Sequence, residues 1–195
     1  MTDTINIRQH MNGTTCTCTF SNESLTDDQI EELTLYLPST CQNLRLSRVD
    51  LSETAVNYIA ENLLLRGNNS HLKSLSLYCT KLTDEGITSI CRAMVDGDNH
   101  KLRFLDIQLN NITDIGALEI AKMLEVNKGL EILDMSYMNI LHDGFMAVLT
   151  ALVEKNRTLK ILDFTGSTAI DESMKEMIVK IKDRVHIINM CYNYE

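Results

Sequence analysis

LRFLDIQLNNITDIGALEIAKML, residues 102–124, decides the fold, and LEILDMSYMNILHDGFMAVLTAL, residues 130–152, repeats it. In both, apolar residues stand at the first, fourth and sixth positions: Leu102, Leu105 and Ile107, then Leu130, Leu133 and Met135. An aliphatic follows ten residues after the opening, Ile112 or Ile140. A stripe then closes each unit, Ala117, Ile120, Ala121 and Leu124 in one, Phe145, Val148, Leu149 and Leu152 in the other. Working outward, units open at Thr15, Cys41, Leu72, Leu102, Leu130, Leu159 and Val185, at spacings of 26, 31, 30, 28, 29 and 26 residues. A period in that range is the mark of a stack of repeats rather than of a conventional globule.

Each unit reads as one strand and one helix. The fourth and sixth positions alternate about a polar fifth, as on a strand with one buried face; Leu44 and Leu46, Leu75 and Leu77, Leu162 and Phe164 are examples. Helix-start signals come next. Thr26-Asp27-Asp28-Gln29 has the form of a capping box, and Thr83-Asp84 and Thr113-Asp114 place an acid at the positive end of the helix. The helical residues follow i, i+3, i+4, i+7, as in Ile87, Ile90, Cys91 and Met94 or Met174, Met177, Ile178 and Ile181; only Thr34 departs, in the first unit. One strand and one helix cannot bury their apolar faces alone, but neighbouring copies bury them mutually. The expected fold is therefore α/β: a curved solenoid, a horseshoe segment with a parallel sheet on the concave face and helices on the convex face, about six repeats plus a terminal strand.

Composition limits the function. The 195 residues are 44% hydrophobic and 23% charged, with a net charge of -9. That charge argues against general affinity for nucleic acid or anionic membrane. No apolar run reaches the roughly 18 residues of a spanning helix, and residues 1–11 lack the apolar stretch of a secretory signal. Of six cysteines, Cys18, Cys41 and Cys91 fall on core positions, where Cys acts as a small hydrophobe; Cys16, Cys79 and Cys191 sit on different strands. Free thiols in a cytoplasmic setting, or in a host cytosol after delivery, are expected.

The opening pattern and the Gly before the helix, as at Gly116, resemble the ribonuclease-inhibitor-type leucine-rich repeat family over roughly residues 15–193. The family favours Asn or Cys at the ninth position of the unit. Here that position holds Glu23, Val49, Thr80, Asn110, Met138, Ser167 and Asn193, so only Asn110 and Asn193 fit and irregular turn bonding is expected. The resemblance implies a protein-binding concave face, and inhibition of an enzyme by covering its active site. In type, such compact repeat proteins also resemble effectors of intracellular bacterial pathogens.

Two divisions follow: residues 1–14, an N-terminal capping hairpin strand signalled by Asn12-Gly13, and residues 15–195, a single leucine-rich repeat domain. With positions four and six inward, positions three, five and seven face the concave side. The third-position row is Thr17, Asn43, Ser74, Phe104, Ile132, Ile161 and Ile187. The fifth-position row is Thr19, Arg45, Ser76, Asp106, Asp134, Asp163 and Asn189. Arg48, Tyr78, Gln108, Leu109, Tyr137 and Tyr192 stand along the margin. The expected partner-binding set is Arg45, Arg48, Tyr78, Phe104, Asp106, Gln108, Ile132, Asp134, Tyr137, Ile161, Asp163, Ile187 and Tyr192: aliphatic area, aromatic anchors, and carboxylates to pair with a partner's bases.

No phosphate loop, metal-ligand motif or nucleophile elbow is present, so the reading is a non-enzymatic binder without cofactor or metal, monomeric when free, with another protein as partner. The alternative is a scaffold that associates through the C-terminal edge strand at Val185 to Met190.

Overall fold

The computed structural model describes residues 11–12, by backbone alone, and 17–65, 71–97, 101–167 and 169–189. Eight strands form one sheet in chain order: β1 (Met11–Asn12), β2 (Thr17–Ser21), β3 (Asn43–Ser47), β4 (Ser74–Ser76), β5 (Phe104–Asp106), β6 (Ile132–Asp134), β7 (Ile161–Asp163) and β8 (His186–Ile188). Strands β2 to β8 are parallel, while β1 runs antiparallel to β2, Met11 opposite Cys18 and Asn12 opposite Thr17. Residues 1–10 of the expected capping strand lie outside the described residues. Between strands come α1 (Asp27–Tyr36), α2 (Glu53–Tyr58), α3 (Asp84–Asp96), α4 (Asp114–Val126), α5 (His142–Glu154) and α6 (Glu172–Ile181). A π-helical segment, Ile59–Leu65, extends α2. It falls in the longest unit of the chain, and a wider turn is one way to absorb an added residue without moving the buried Leu63 and Leu64.

The core matches the periodic positions. Leu44, Leu75, Leu105, Leu133 and Leu162 are buried in a single row across the sheet, and Leu46, Leu77, Ile107, Met135 and Phe164 in the next. The rings of Phe145 and Phe164 meet with centroids 4.4 Å apart. Cys18, Cys41 and Cys91 are buried free thiols, and burial pushes the Cys18 thiol up to about 12. Thr34, the one exception in the helical stripe, is also buried and accepts a 3.0 Å bond from Asn62 Nδ2.

The helix starts are tied from unit to unit. Thr26 forms the full capping box, and Ser52, Thr83, Thr113 and Asp171 also cap their helices. The acid that follows each of the first four caps reaches the next unit: Asp27 accepts from Ser52 Oγ (2.6 Å), Glu53 from Thr83 Oγ1 (2.5 Å), Asp84 from Thr113 Oγ1 (2.6 Å), and Asp114 from the Leu141 N–H (2.7 Å). Asp84 Oδ1 also takes the Gly116 N–H, and a Cβ on Gly116 would fall 2.6 Å from that oxygen. Glycine there is thus a packing requirement of the carboxylate beside it.

In each of the first six units the eighth position is left-handed: Asn22, Arg48, Cys79, Leu109, Tyr137 and Gly166. From Asn22 to Tyr137 each N–H in this row donates to the seventh-position carbonyl of the following unit, at 2.7–3.1 Å. That turn forms with most side chains present because the inter-unit bond repeats, although only Asn and Gly favour the conformation intrinsically.

The last strand corrects the sequence reading. Leu162 pairs with Ile187, and Asp163 with Ile188, one residue out from the expected register. Ile187 therefore turns to the core, where it packs against the buried cluster, and His186 takes its place in the third-position row. A slip of one residue on a strand exchanges its faces. Tyr192 and Asn193 lie outside the described residues.

Candidate protein-binding face

On the concave side the third-position row holds its register from β2 to β7: Thr17, Asn43, Ser74, Phe104, Ile132 and Ile161 are consecutive partners. All six are partly exposed, so Phe104, Ile132 and Ile161 make a continuous apolar strip on three adjacent strands. Beside it runs Thr19, Arg45, Ser76, Asp106, Asp134 and Asp163. The margin adds Arg48, whose guanidinium carbon lies 5.6 Å from the centroid of the Tyr78 ring, and the exposed Leu109 and Tyr137, at 41% and 42%. Tyr137 lies on Gly166, where any Cβ would fall 2.4 Å from its ring.

The three acids are not equivalent. Asp106 is only 7% exposed, and both its oxygens are in use: Oδ2 accepts from Ser76 Oγ (2.6 Å) and Oδ1 from the Gln108 N–H (3.2 Å). Its expected place among partner-facing acids is therefore corrected, because its neighbours on β4 and β5 enclose it. Asp134 accepts from Ser136 Oγ (2.7 Å), the Ser136 N–H (3.1 Å) and Gln108 Nε2 (3.0 Å). Asp163 accepts from the Thr165 N–H (2.9 Å). Both stay partly exposed, and Gln108 bridges two units instead of standing free.

Burial raises the Asp134 pKa; the Ser136 donors oppose this, and the charges of Asp106 and Asp163 add to it. A carboxyl raised in the fold is disfavoured as an anion there. That cost is absent below the ordinary value of 3.8, where folded and unfolded chains are both protonated, and complete above the raised value. Asp134→Asn should therefore stabilise the chain at pH 7, by under about 1 kcal/mol given solvent screening. The gain should vanish as the pH falls through 4, read from urea midpoints at both pH values. An equal gain at low pH would assign the effect to packing.

Several contributors were not read from the sequence. Asn110, at 4% exposure, joins two units through its amide: Oδ1 accepts from the N–H groups of Thr80 (3.0 Å) and Leu82 (2.9 Å), and Nδ2 donates to the carbonyls of Leu77 (2.7 Å) and Ile107 (2.8 Å). Asn127 and Asn156 do similar work on the opposite edge, each accepting from the N–H of the residue that opens the next strand, Leu130 or Leu159, at 2.8 and 2.9 Å. The signal was an Asn three residues before an opening Leu, present also at Asn69 and Asn99. The most exposed apolar side chains sit outside the concave strip as well: Tyr36 (70%), Ile115 (66%) and Leu141 (63%), all on or beside helices. Among the described residues, no group of three or more potential ligands could hold a metal ion, and no helix is long and apolar enough to cross a membrane.

The comparisons with known proteins agree with this architecture. A family model described as "Leucine Rich repeat" matches residues 68–91 and 98–121. Two mouse (Mus musculus) proteins are similar: "NACHT, LRR and PYD domains-containing protein 9C" at 31% identity over 157 residues, and protein 9B of the same description at 25% over 125. Those alignments cover 78% and 64% of this chain, yet only 15% and 12% of the relatives' own lengths. Among solved structures, "Leiomodin-1 Actin-Binding Site 2 (ABS2)" matches with a TM-score of 0.58 at 20% identity, covering 73% of this chain and 79% of that one. The fold is a leucine-rich repeat solenoid, and the sequence matches support a leucine-rich repeat family.

Proposed function

We propose that this chain is a non-enzymatic protein-binding module whose partner lies across the concave strands β3 to β7. The observation that carries this is the unbroken Phe104, Ile132 and Ile161 strip, in register on three adjacent strands and flanked by exposed Leu109 and Tyr137. Apolar area bordered by polar groups, with an aromatic at its rim, is the usual make-up of a binding surface. Arg45, Arg48 and Tyr78 extend it toward the first units, while Asp134 and Asp163 offer carboxylates to a partner's bases. Leiomodin-1 carries the fold in a segment named for binding actin, which supports protein binding in general and not actin in particular. By its ribonuclease-inhibitor-like opening pattern, this reading extends to occlusion of an enzyme's active site in a cytosol.

The test is a capture experiment that compares the native chain with a Phe104→Glu, Ile132→Asp, Tyr137→Ala variant whose thermal unfolding remains cooperative. A partner held by the native chain and lost by the variant supports the concave face, and that partner is then assayed for inhibition. A partner retained by both moves the site to the helical side, where Tyr36, Ile115 and Leu141 are exposed.

A second reading, association through the last strand, is favoured by β8 being the terminal strand of the sheet among the described residues. Concentration-dependent mass that disappears in Ile188→Pro would support it.

A further inference from the structure

The sheet has a second border, at the end where its strands begin. Here the chain leaves each helix and turns into the next strand, and the residues just before and just after the opening position point out of that edge. In the third unit these are His71 and Lys73, in the fourth Lys101 and Arg103. Strands β4 and β5 start side by side just after these residues, Ser74 opposite Phe104, which sets Lys73 beside Arg103 at about the 4.8 Å sheet spacing. Backbone bonds hold the alignment: the Lys73 N–H donates to the Gln42 carbonyl at 2.7 Å, and the Arg103 N–H to the Lys73 carbonyl at 2.8 Å. Together with Ser39 and Gln42, these four side chains line an open cavity of about 310 Å³.

This cluster runs against the rest of the surface. The chain carries -9 overall, and four of its other lysines are matched with acids: Lys81 with Asp50, Lys122 with Glu119, Lys160 with Glu131, Lys175 with Glu172. Arg103 itself is partly satisfied, by the Gly129 carbonyl at 2.6 Å and by Glu131 at 3.5 Å. Lys73 and His71, both exposed, make no side-chain hydrogen bond or ion pair among the described residues. Cations set this close on a rigid lattice repel one another until an anion enters between them.

We propose that this cavity is a docking site for an acidic peptide segment, in which carboxylates at alternating positions lie between Lys73, Arg103 and His71. An extended peptide places alternate side chains on one face about 6.6 Å apart, so two of its acids can face the cluster at once. Gln42 and Ser39 present neutral hydrogen-bonding groups at the border, which suits a polar backbone alongside. Nucleic acid is disfavoured, because its many phosphates would meet the acidic surface beyond this small basic patch. The inference stands apart from the concave-face reading, since the cavity is built from first-edge residues and contains none of the apolar strip.

The test is fluorescence anisotropy with a labelled peptide of alternating Glu and Ser, against the same peptide with Gln for Glu. The native chain should bind the Glu peptide alone, and 0.5 M salt should abolish that binding. The double variant His71→Ser, Lys73→Ser should weaken it about tenfold, while Lys122→Ser on α4 should not change it. Three results would overturn the proposal: equal binding by the double variant, no preference for Glu over Gln, or tighter binding of an oligothymidine strand. Displacement of the peptide by inorganic phosphate far more readily than by acetate would replace the carboxylate ligand with a phosphoryl one. Thermal unfolding of each variant, expected to match the native chain, separates lost docking from lost folding.

Discussion

Asn110→Ala should lower the free energy of unfolding by about 3–5 kcal/mol, a large loss for a single polar side chain. The amide at position 110 is buried and serves four backbone groups of two different units, the N–H of Thr80 and Leu82 and the carbonyls of Leu77 and Ile107. Truncation strands the two N–H groups and the Ile107 carbonyl, while the Leu77 carbonyl keeps the Thr80 hydroxyl at 3.1 Å. The comparison that isolates the mechanism is Asn110→Asp, which keeps the acceptor oxygen toward Thr80 and Leu82 but loses both donors and buries a charge. Its loss at pH 7 should be at least as great and should shrink in acid, where the carboxyl regains one donor. Urea denaturation of the three chains decides the matter, and a loss below 1 kcal/mol for Asn110→Ala would show that the turn reorganises around the gap. Unfolding should also broaden, since a solenoid communicates only between neighbouring units and this amide joins two of them.

Neighbouring substitutions on β5 should separate core from face. Leu105→Ala removes a fully buried side chain from the middle of the inward row and should cost about 2–5 kcal/mol. Asp106→Ala, one residue on, should cost less, about 1–3 kcal/mol, by stranding the Ser76 hydroxyl and the Gln108 N–H. The measurement is again the denaturant midpoint, with capture of any concave-face partner as a second readout. If Asp106→Ala left stability unchanged but abolished capture, the carboxylate would belong to the partner site after all, and the internal role assigned to it would be wrong.

Most of the architecture is legible in the chain because a repeat reports the same environment several times over. A single Leu-x-x-Leu proves little. When Leu44, Leu75, Leu105, Leu133 and Leu162 all open toward helices of the same phase, the inward row is determined before any contact is known. The same redundancy located the strip of Phe104, Ile132 and Ile161. It failed at β8, where Val185, Ile187 and Ile188 are all apolar and alternation alone does not choose a face. There the bonds from the His186 N–H to the Lys160 carbonyl (2.7 Å) and from the Phe164 N–H to the Ile188 carbonyl (3.0 Å) select the register.

The acids show the same division. Asp106, Asp134 and Asp163 occupy one position of the repeat and look alike in sequence, yet one is enclosed and two are partly open. The difference comes from what stands beside them: Ser76 on the preceding strand offers a hydroxyl to Asp106, whereas Gln108 reaches across to Asp134. The basic border at His71, Lys73, Lys101 and Arg103 is likewise scattered over some thirty residues of chain and becomes a cluster only when β4 and β5 lie side by side. The sequence by itself determined the solenoid, the direction of each strand and the helix phases, because these depend on periodicity within a unit. Burial of one aspartate, the face of the last strand and the gathering of cations were left to the tertiary structure, because each depends on a neighbour in space about thirty residues away.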